Sequence, residues 1–123
     1  MHGIPIRSAL DTAAARNVLR RLIAAPRYTP TFRARAAATL TALVEFVLSV
    51  PANGLLDLIA INRDDVKGIE LRCSVMSADE LQLLSDILAK QVSDVSDEIE
   101  FFRGSDRLLI VARVWTKDLE EKT

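Results

Sequence analysis

Ile69-Glu70-Leu71-Arg72-Cys73-Ser74-Val75 is the stretch on which the fold turns. Apolar and polar residues alternate along it, so one side of an extended segment is apolar and the other polar, the pattern of a half-buried strand. Upstream, Leu55 to Ile61 is nearly all apolar, interrupted by Asp57, and reads as a partner strand. The charged run from Asn62 to Gly68 between the two reads as a turn. Downstream, Ser77-Ala78-Asp79-Glu80 has the S-x-x-E form of a capping box and opens a helix that points Leu81, Leu84, Leu88 and Val92 inward. Glu98 to Arg103 and Leu108 to Trp115 then flank Gly104-Ser105-Asp106 as a hairpin. The last strand is apolar on both faces for much of its length, which places it inside a sheet.

The N-terminal third is helical. Ile4-Pro5-Ile6-Arg7 alternates weakly as a short strand, and Pro5 keeps it from a central position. Ser8 is an N-cap residue. From Ala9 to Ala25, Leu10, Ala14, Val18, Leu22 and Ala25 recur at helical spacing, widened by Leu19 and Ile23, with Arg16, Arg20 and Arg21 on the other face. Pro26 ends that helix. Thr29 caps a second helix with Pro30 in its first position. It runs to about Ser49 on an apolar face of Ala36, Leu40, Leu43, Val44, Val47 and Leu48, and Pro51-Ala52-Asn53-Gly54 turns the chain. The order β, α, α, β, β, α, β, β predicts an α/β domain of the α+β kind. It is a two-layer sandwich with a mixed, mainly antiparallel sheet of four to five strands and three helices on one face.

A chain of 123 residues fits one domain, 1–123, with a polar tail at 117–123. Half of the residues are apolar, enough for a core and against disorder. Apolar runs fall short of the roughly 18 residues that a membrane span needs, and the first residues lack the pattern of a secretory signal. A single cysteine, Cys73, offers no internal disulfide, and a cytoplasmic setting is expected. The net charge of −1 hides a division. Residues 1–50 hold seven Arg against Asp11 and Glu45, a net of +5, whereas residues 51–123 hold nine Lys/Arg against fifteen Asp/Glu, a net of −6. Such a dipolar chain suits self-association or an oriented protein partner. Nucleic acid is disfavoured, because the basic half has few interleaved aromatics, only Tyr28, Phe32 and Phe46.

Catalytic groupings are scarce. His2 is the only histidine, so no Cys/His zinc cluster and no Ser-His triad can be assembled. Cys73 falls on the apolar side of its strand, the place of a small core residue and not of a reactive thiolate. Asp94, Asp97, Glu98 and Glu100 form the densest acidic cluster, which reads as the solvated start of a strand; a calcium loop needs a fuller ligand series. Asp57 either faces solvent, the preferred reading, or is buried and requires a partner. Gly3, Gly54, Gly68 and Gly104 are placed at termini or turns, and none belongs to a phosphate-cradling loop.

Several strings resemble the switch protein kinases and anti-sigma factors of the histidine-kinase-like (GHKL) ATPase fold. Ile4-Pro5-Ile6-Arg7-Ser8 with Asp11 and Ala13-Ala14-Ala15-Arg16 is similar to that family's opening strand and first helix. Thr39 to Leu48 is similar to its second helix, Gly68-Ile69-Glu70-Leu71 to the strand that leads to its nucleotide site, and Gly104 with Leu109 to Trp115 to its last hairpin. The resemblance spans nearly the whole chain and implies a GHKL-like scaffold.

The nucleotide site of that family departs here in three places. Its second helix carries a glutamate base and, four residues on, an asparagine that holds magnesium; the matching positions are Ala42 and Phe46. A shifted register that uses Glu45 puts Ser49 at the magnesium position and breaks the match at Gly54. The Asp-x-Gly-x-Gly segment is replaced by Ser74-Val75-Met76-Ser77-Ala78-Asp79, with Met76 in a degenerate position, and about two residues stand where a flexible ATP lid belongs. Without the metal ligand, the charge clamp for phosphoryl transfer is missing. The resemblance thus implies a non-catalytic interaction module with no cofactor and no metal. It would be a pseudo-kinase form acting in bacterial partner switching, with a STAS-domain antagonist, a sigma factor or a PP2C-type phosphatase as partner and a homodimer as its assembly. Arg16, Arg20 and Arg21 are the candidate partner-binding residues. The alternatives are a divergent ATP-binding serine/threonine kinase of the same fold and a structural dimerisation subunit.

Overall fold

The structure, a computed structural model, describes residues 3–25, 28–49, 54–76, 81–104 and 107–116, without the side chains of Met76 and of residues 81–85. The chain order is β1 (Ile4–Ile6), α1 (Ala9–Leu22), α2 (Pro30–Ser49), β2 (Gly54–Arg63), β3 (Val66–Met76), α3 (Leu81–Ser93), β4 (Glu98–Arg103) and β5 (Arg107–Trp115). The strands make one sheet in the order β1-β2-β3-β5-β4. All four pairings are antiparallel, so the sheet is not mixed. The reason lies in the last hairpin. The α3 crossover returns β4 in the direction of β3, but β5 inserts between them and meets each one antiparallel. His2, Pro26, Pro51-Ala52-Asn53, the Ser77-Ala78-Asp79-Glu80 capping box, Ser105-Asp106 and the tail at 117–123 lie outside the described residues, as do the side chains of Leu81 and Leu84.

The three helices cover one face of the sheet, and α2 is the central one, touching α1, α3, β1, β3 and β5. Under them Ile69, Leu71, Cys73 and Val75 of β3 meet Leu108, Ile110, Ala112 and Val114 of β5, all buried. Each large apolar side chain removed from water there contributes about 1.5–3 kcal/mol. The α2 helix starts as the sequence predicts: the Phe32 N–H donates to Thr29 Oγ1 at 3.1 Å, with Pro30 in the first turn. Its buried face holds Phe32, Thr39 and Phe46 as well as the expected Ala36, Leu40, Leu43, Val44 and Val47. Leu48 does not belong to it: it is exposed, one step round the helix from Val47 and beyond the covered arc. Buried Thr39 is satisfied by donating to the Arg35 carbonyl at 2.9 Å.

The α1 helix is rotated from its expected phase. Ala15, Leu19 and Ile23 are buried, while Leu10 is 84% exposed and Ala14 is also exposed. Apolar residues surround most of this helix, so periodicity alone fixes its phase poorly, and the small Ala15 is fully buried in the core. At its start the Asp11 carboxylate accepts the Arg7 and Ser8 N–H groups at 2.8 and 3.2 Å, a favourable place for an anion.

The β2–β3 connection is tighter than the stretch from Asn62 to Gly68. Arg63 pairs with Val66, and Asp64 and Asp65 alone make the turn, at φ 53° and 68°. Two successive positive φ values match the right-handed twist of a hairpin, and aspartate tolerates that conformation. Gly68 is therefore inside β3, and its role is steric: a Cβ there would lie 2.6 Å from Trp115 Cε3 and 2.6 Å from the Val114 carbonyl oxygen.

Candidate functional site

Three regions carry the chemistry of the chain: a groove between α1 and α2, a cleft between α2 and α3, and the sheet face turned away from the helices.

The groove encloses about 460 Å³ and is lined by Arg16, Leu19, Arg20, Ile23 and Ala24 from the α1 side and by Arg33 and Ala37 from α2. Spacings of three and four bring these residues onto one face of each helix. Leu19, Ile23, Ala24 and Ala37 form an apolar floor, and the small side chains of Ala24 and Ala37 leave the space open. Three guanidiniums rim it. Arg16 donates to Thr41 Oγ1 at 3.3 Å, Arg20 to Asn17 Oδ1 at 3.2 Å, and Arg33 to the carbonyls of Ala24 and Ala25 at 3.1 and 3.0 Å. None of the three meets a carboxylate among the described residues. Of the predicted contact residues, Arg16 and Arg20 are brought together here. Arg21 is exposed but does not line the groove, because one residue of helix turns it away. Arg33 joins them unannounced by the sequence reading; the available signal was its spacing from Ala37 and Thr41 on the polar side of α2.

The α2–α3 cleft is smaller, about 220 Å³, and is lined by Glu45, Phe46, Ser49, Ile87, Leu88 and Gln91. Its volume is below the roughly 300–1,000 Å³ usual for small-molecule pockets. The Phe46 ring is buried, at 6% exposure, and Ala42 is partly buried against the core. Glu45 is exposed, and the Ser49 hydroxyl is engaged as a donor to the Phe46 carbonyl at 2.7 Å. Met76 ends β3, and its side chain is outside the described atoms.

On the open sheet face the acidic cluster is joined to arginines distant in sequence. Pairing sets Glu70 opposite Arg113, and Arg113 opposite Glu98. Arg113 Nε donates to Glu70 Oε1 at 2.7 Å, and its Nη1 to Glu98 and Glu100, both at 3.0 Å. Arg72 holds the other Glu70 oxygen. Burial works to raise the Glu70 carboxyl, but Arg113 and Arg72 outweigh it and hold the group below its usual range. The Arg63 guanidinium does most to lower Glu98, against some burial, and Arg113 and the Trp115 indole add to it. Burial opposes the charge of Arg113, yet Glu70, Glu100 and Glu98 raise its affinity for the proton. The Trp115 ring crosses Gly68, donates Nε1–H to Glu98 at 3.1 Å and carries Arg63 over its face at 4.6 Å. Asp97 pairs with Arg35 at 2.9 Å and accepts the Trp115 N–H at 2.7 Å. The cluster expected to be merely solvated is thus largely structural: Asp97, Glu98 and Glu100 are ion-paired, although Glu100, like Asp94, is exposed.

Two single groups complete the inventory. Cys73 is buried in the core as the sequence predicts, and burial pushes its thiol up to about 12. Asp57 is half-buried on the open face across from Arg72, and its Oδ1 is shielded and accepts no hydrogen bond from the described residues. The described residues contain no group of His, Cys, Asp or Glu side chains placed to hold a metal ion, and no described helix is long and apolar enough to cross a membrane. No family model, curated protein or solved structure matches the chain.

Proposed function

We propose that this chain is a non-catalytic protein-interaction module, a pseudo-kinase form of the switch-kinase and anti-sigma scaffold acting in cytoplasmic bacterial partner switching. The observation that carries the reading is the α1–α2 groove, an apolar floor rimmed by Arg16, Arg20 and Arg33, which meet no carboxylate among the described residues. Such a rim selects an acidic protein surface, steers its approach and rejects basic competitors. The partner classes that fit the resemblance are a STAS-domain antagonist, a sigma factor and a PP2C-type phosphatase. The positions that would hold ATP support the absence of catalysis: Ala42 offers a methyl where a base belongs, and the buried Phe46 ring replaces a metal ligand.

A divergent ATP-binding kinase is the second reading, favoured by Glu45 and Ser49 both lining the α2–α3 cleft. Calorimetric titration with magnesium-ATP separates the two. The interaction module gives no binding heat and no thermal stabilisation, whereas saturable binding displaces it in favour of the kinase. The groove is tested by binding to a STAS-domain protein, a sigma factor and a PP2C-type phosphatase from the same genome. The charge reversals Arg16→Glu and Arg20→Glu are expected to abolish a binding that Arg21→Glu retains; equal effects of all three refute the groove.

A further inference from the structure

The outer edge of β2 is only partly used. β1 pairs with Gly54, Leu55 and Leu56, and among the described residues no strand lies beside Asp57 to Arg63 on that side. Two features decide which backbone groups this leaves unpaired. Pro5 stands opposite Leu55 and has no N–H, so the hydrogen-bonded pairs of β1 and β2 are Ile4–Leu56 and Ile6–Gly54. At the other end, the two-residue turn is closed by Arg63 and Val66 as a bonded pair. Alternation along β2 carries both assignments to the same result. The N–H and C=O groups of Asp57, Ile59, Ile61 and Arg63 point to β3, and those of Leu58, Ala60 and Asn62 point outward. The outward groups take no backbone partner among the described residues. Ala60 and Asn62 are exposed and Leu58 is half-buried, so an incoming chain can reach them. β1 bounds the free stretch at one end and the Asp64-Asp65 turn at the other, which leaves room for about six residues, roughly 20 Å of strand.

A second, independent feature lies beside this edge. Asp57 forms no ion pair among the described residues, and its shielded Oδ1 accepts no hydrogen bond from them. Arg72, which register places across from it, is turned to Glu70. A carboxylate short of partners next to a row of unpaired backbone groups calls for one ligand that serves both. An extended segment added antiparallel, as every other strand of this sheet is, does so. Its residues opposite Ile59 and Ile61 share the open sheet face with those side chains in close, non-bonded pairs. A Lys or Arg opposite Ile59 lays its apolar stem on Ile59 and brings its head diagonally to Asp57. An apolar residue belongs opposite Ile61. The β2 edge of a second copy has no such cation to give, because its Arg63 is bonded to Glu98 and held over the Trp115 ring.

We propose that the free edge of β2 is a strand-addition site for an extended segment of a different protein, with the pattern apolar–any–basic read in the direction of the added strand. Backbone bonds to Leu58, Ala60 and Asn62 hold the segment, and its basic residue sets the register by meeting Asp57. The site is separate from the α1–α2 groove and does not rest on the partner-switching reading.

The probe is the blocked hexapeptide Thr-Thr-Ile-Thr-Lys-Thr, titrated into the isotope-labelled full chain and followed by amide shifts and hydrogen exchange. Saturable shifts and slowed exchange at the Leu58, Ala60 and Asn62 amides are expected, with a Kd on the order of 1 mM because a short free strand must be ordered. Asp57→Asn is expected to weaken binding about two- to fivefold, the worth of an opposite-charge cross-strand pair, and a peptide with Glu in place of Lys to weaken it at least as much. Ala60→Pro removes an outward N–H that the β2–β3 ladder does not use, so the sheet is expected to persist and binding to be lost. Should that proline perturb the strand, Asp57→Asn, which leaves the backbone unchanged, carries the test. Arg16→Glu with Arg20→Glu is expected to leave peptide binding unchanged. No saturable shift up to about 10 mM peptide, equal binding of the Lys and Glu peptides, or binding retained by a folded Ala60→Pro chain each overturns the proposal. Slow exchange of the three amides in the dilute free chain overturns it as well, because the edge is then already filled by the chain itself or by a second copy.

Discussion

Replacing Arg113 by methionine removes the cation that joins three carboxylates while keeping an unbranched, apolar stem. Its Nε–Glu70 bond is 2.7 Å, and its two Nη1 bonds to Glu98 and Glu100 are 3.0 Å. The Glu70 side chain is only 6% exposed, so the variant leaves a mostly buried carboxylate with Arg72 as its one remaining described cation. Removing one partner of a buried pair costs about 3–5 kcal/mol. Arg72 stays, and Arg113 is itself 20% exposed, so the low end, about 3 kcal/mol, is expected. Urea denaturation followed by the fluorescence of Trp115, the only tryptophan, reads this as a lowered midpoint with an unchanged slope. The loss depends on pH. Folding lowers the Glu70 and Glu98 carboxyls, so their contribution is complete above the unfolded carboxylate value of about 4.3 and disappears as pH falls through the lower folded value. The deficit of Arg113→Met relative to wild type therefore shrinks in acid. Adding Glu70→Leu recovers much of the loss at neutral pH, because the charges left unpaired, Arg72 and Glu100, are half-exposed and no mostly buried carboxylate remains without Arg113. A deficit below about 1 kcal/mol, the range of exposed pairs, or one that is the same at acid and neutral pH refutes the reasoning.

Two further outcomes follow from the packing. Gly68→Ala forces a Cβ within 2.6 Å of both the Trp115 ring and the Val114 carbonyl; a loss of about 1–3 kcal/mol and a shifted Trp115 emission maximum are expected, and an unshifted spectrum would show that the ring does not lie across Gly68. Cys73, with its thiol pushed up to about 12 by burial, is expected to resist disulfide-exchange reagents in mildly alkaline buffer and to react fully after denaturation.

The fold was legible wherever local chemistry and hydrophobic period agreed. Thr29-Pro30 announced α2, and strict alternation announced β3. α1 was legible as a helix but not in its phase, since Leu10, Val18 and Leu22 compete with Leu19 and Ile23 and only docking against the sheet decides between them. The hairpin turn was read too long because Asp64-Asp65 lacks the glycine that usually marks such a turn. The arginine–carboxylate lattice was hidden for a different reason. Glu70 and Arg113 are 43 residues apart and Arg63 and Glu98 are 35 apart, so they become neighbours only when strand order and register are known. For the groove, Arg16 and Arg20 could be found on one helix, but Arg33 comes from another, and its place depends on how the helices cross.

The margins of the sheet have a consequence for what happens when many copies of the chain are crowded together. β1 is three residues long with Pro5 at its middle, and β4 is six residues long and carries Glu98, Glu100 and Arg103. A proline has no N–H to offer an incoming strand, and a short, charged outer strand is a poor template for one. Strand addition is thereby disfavoured at β1 and at β4. β1 covers only Gly54 to Leu56 of β2, however, and among the described residues no strand lies on the outer side of β2 from Asp57 to Arg63. Lateral association of crowded copies is therefore expected along that stretch and not at β1 or β4.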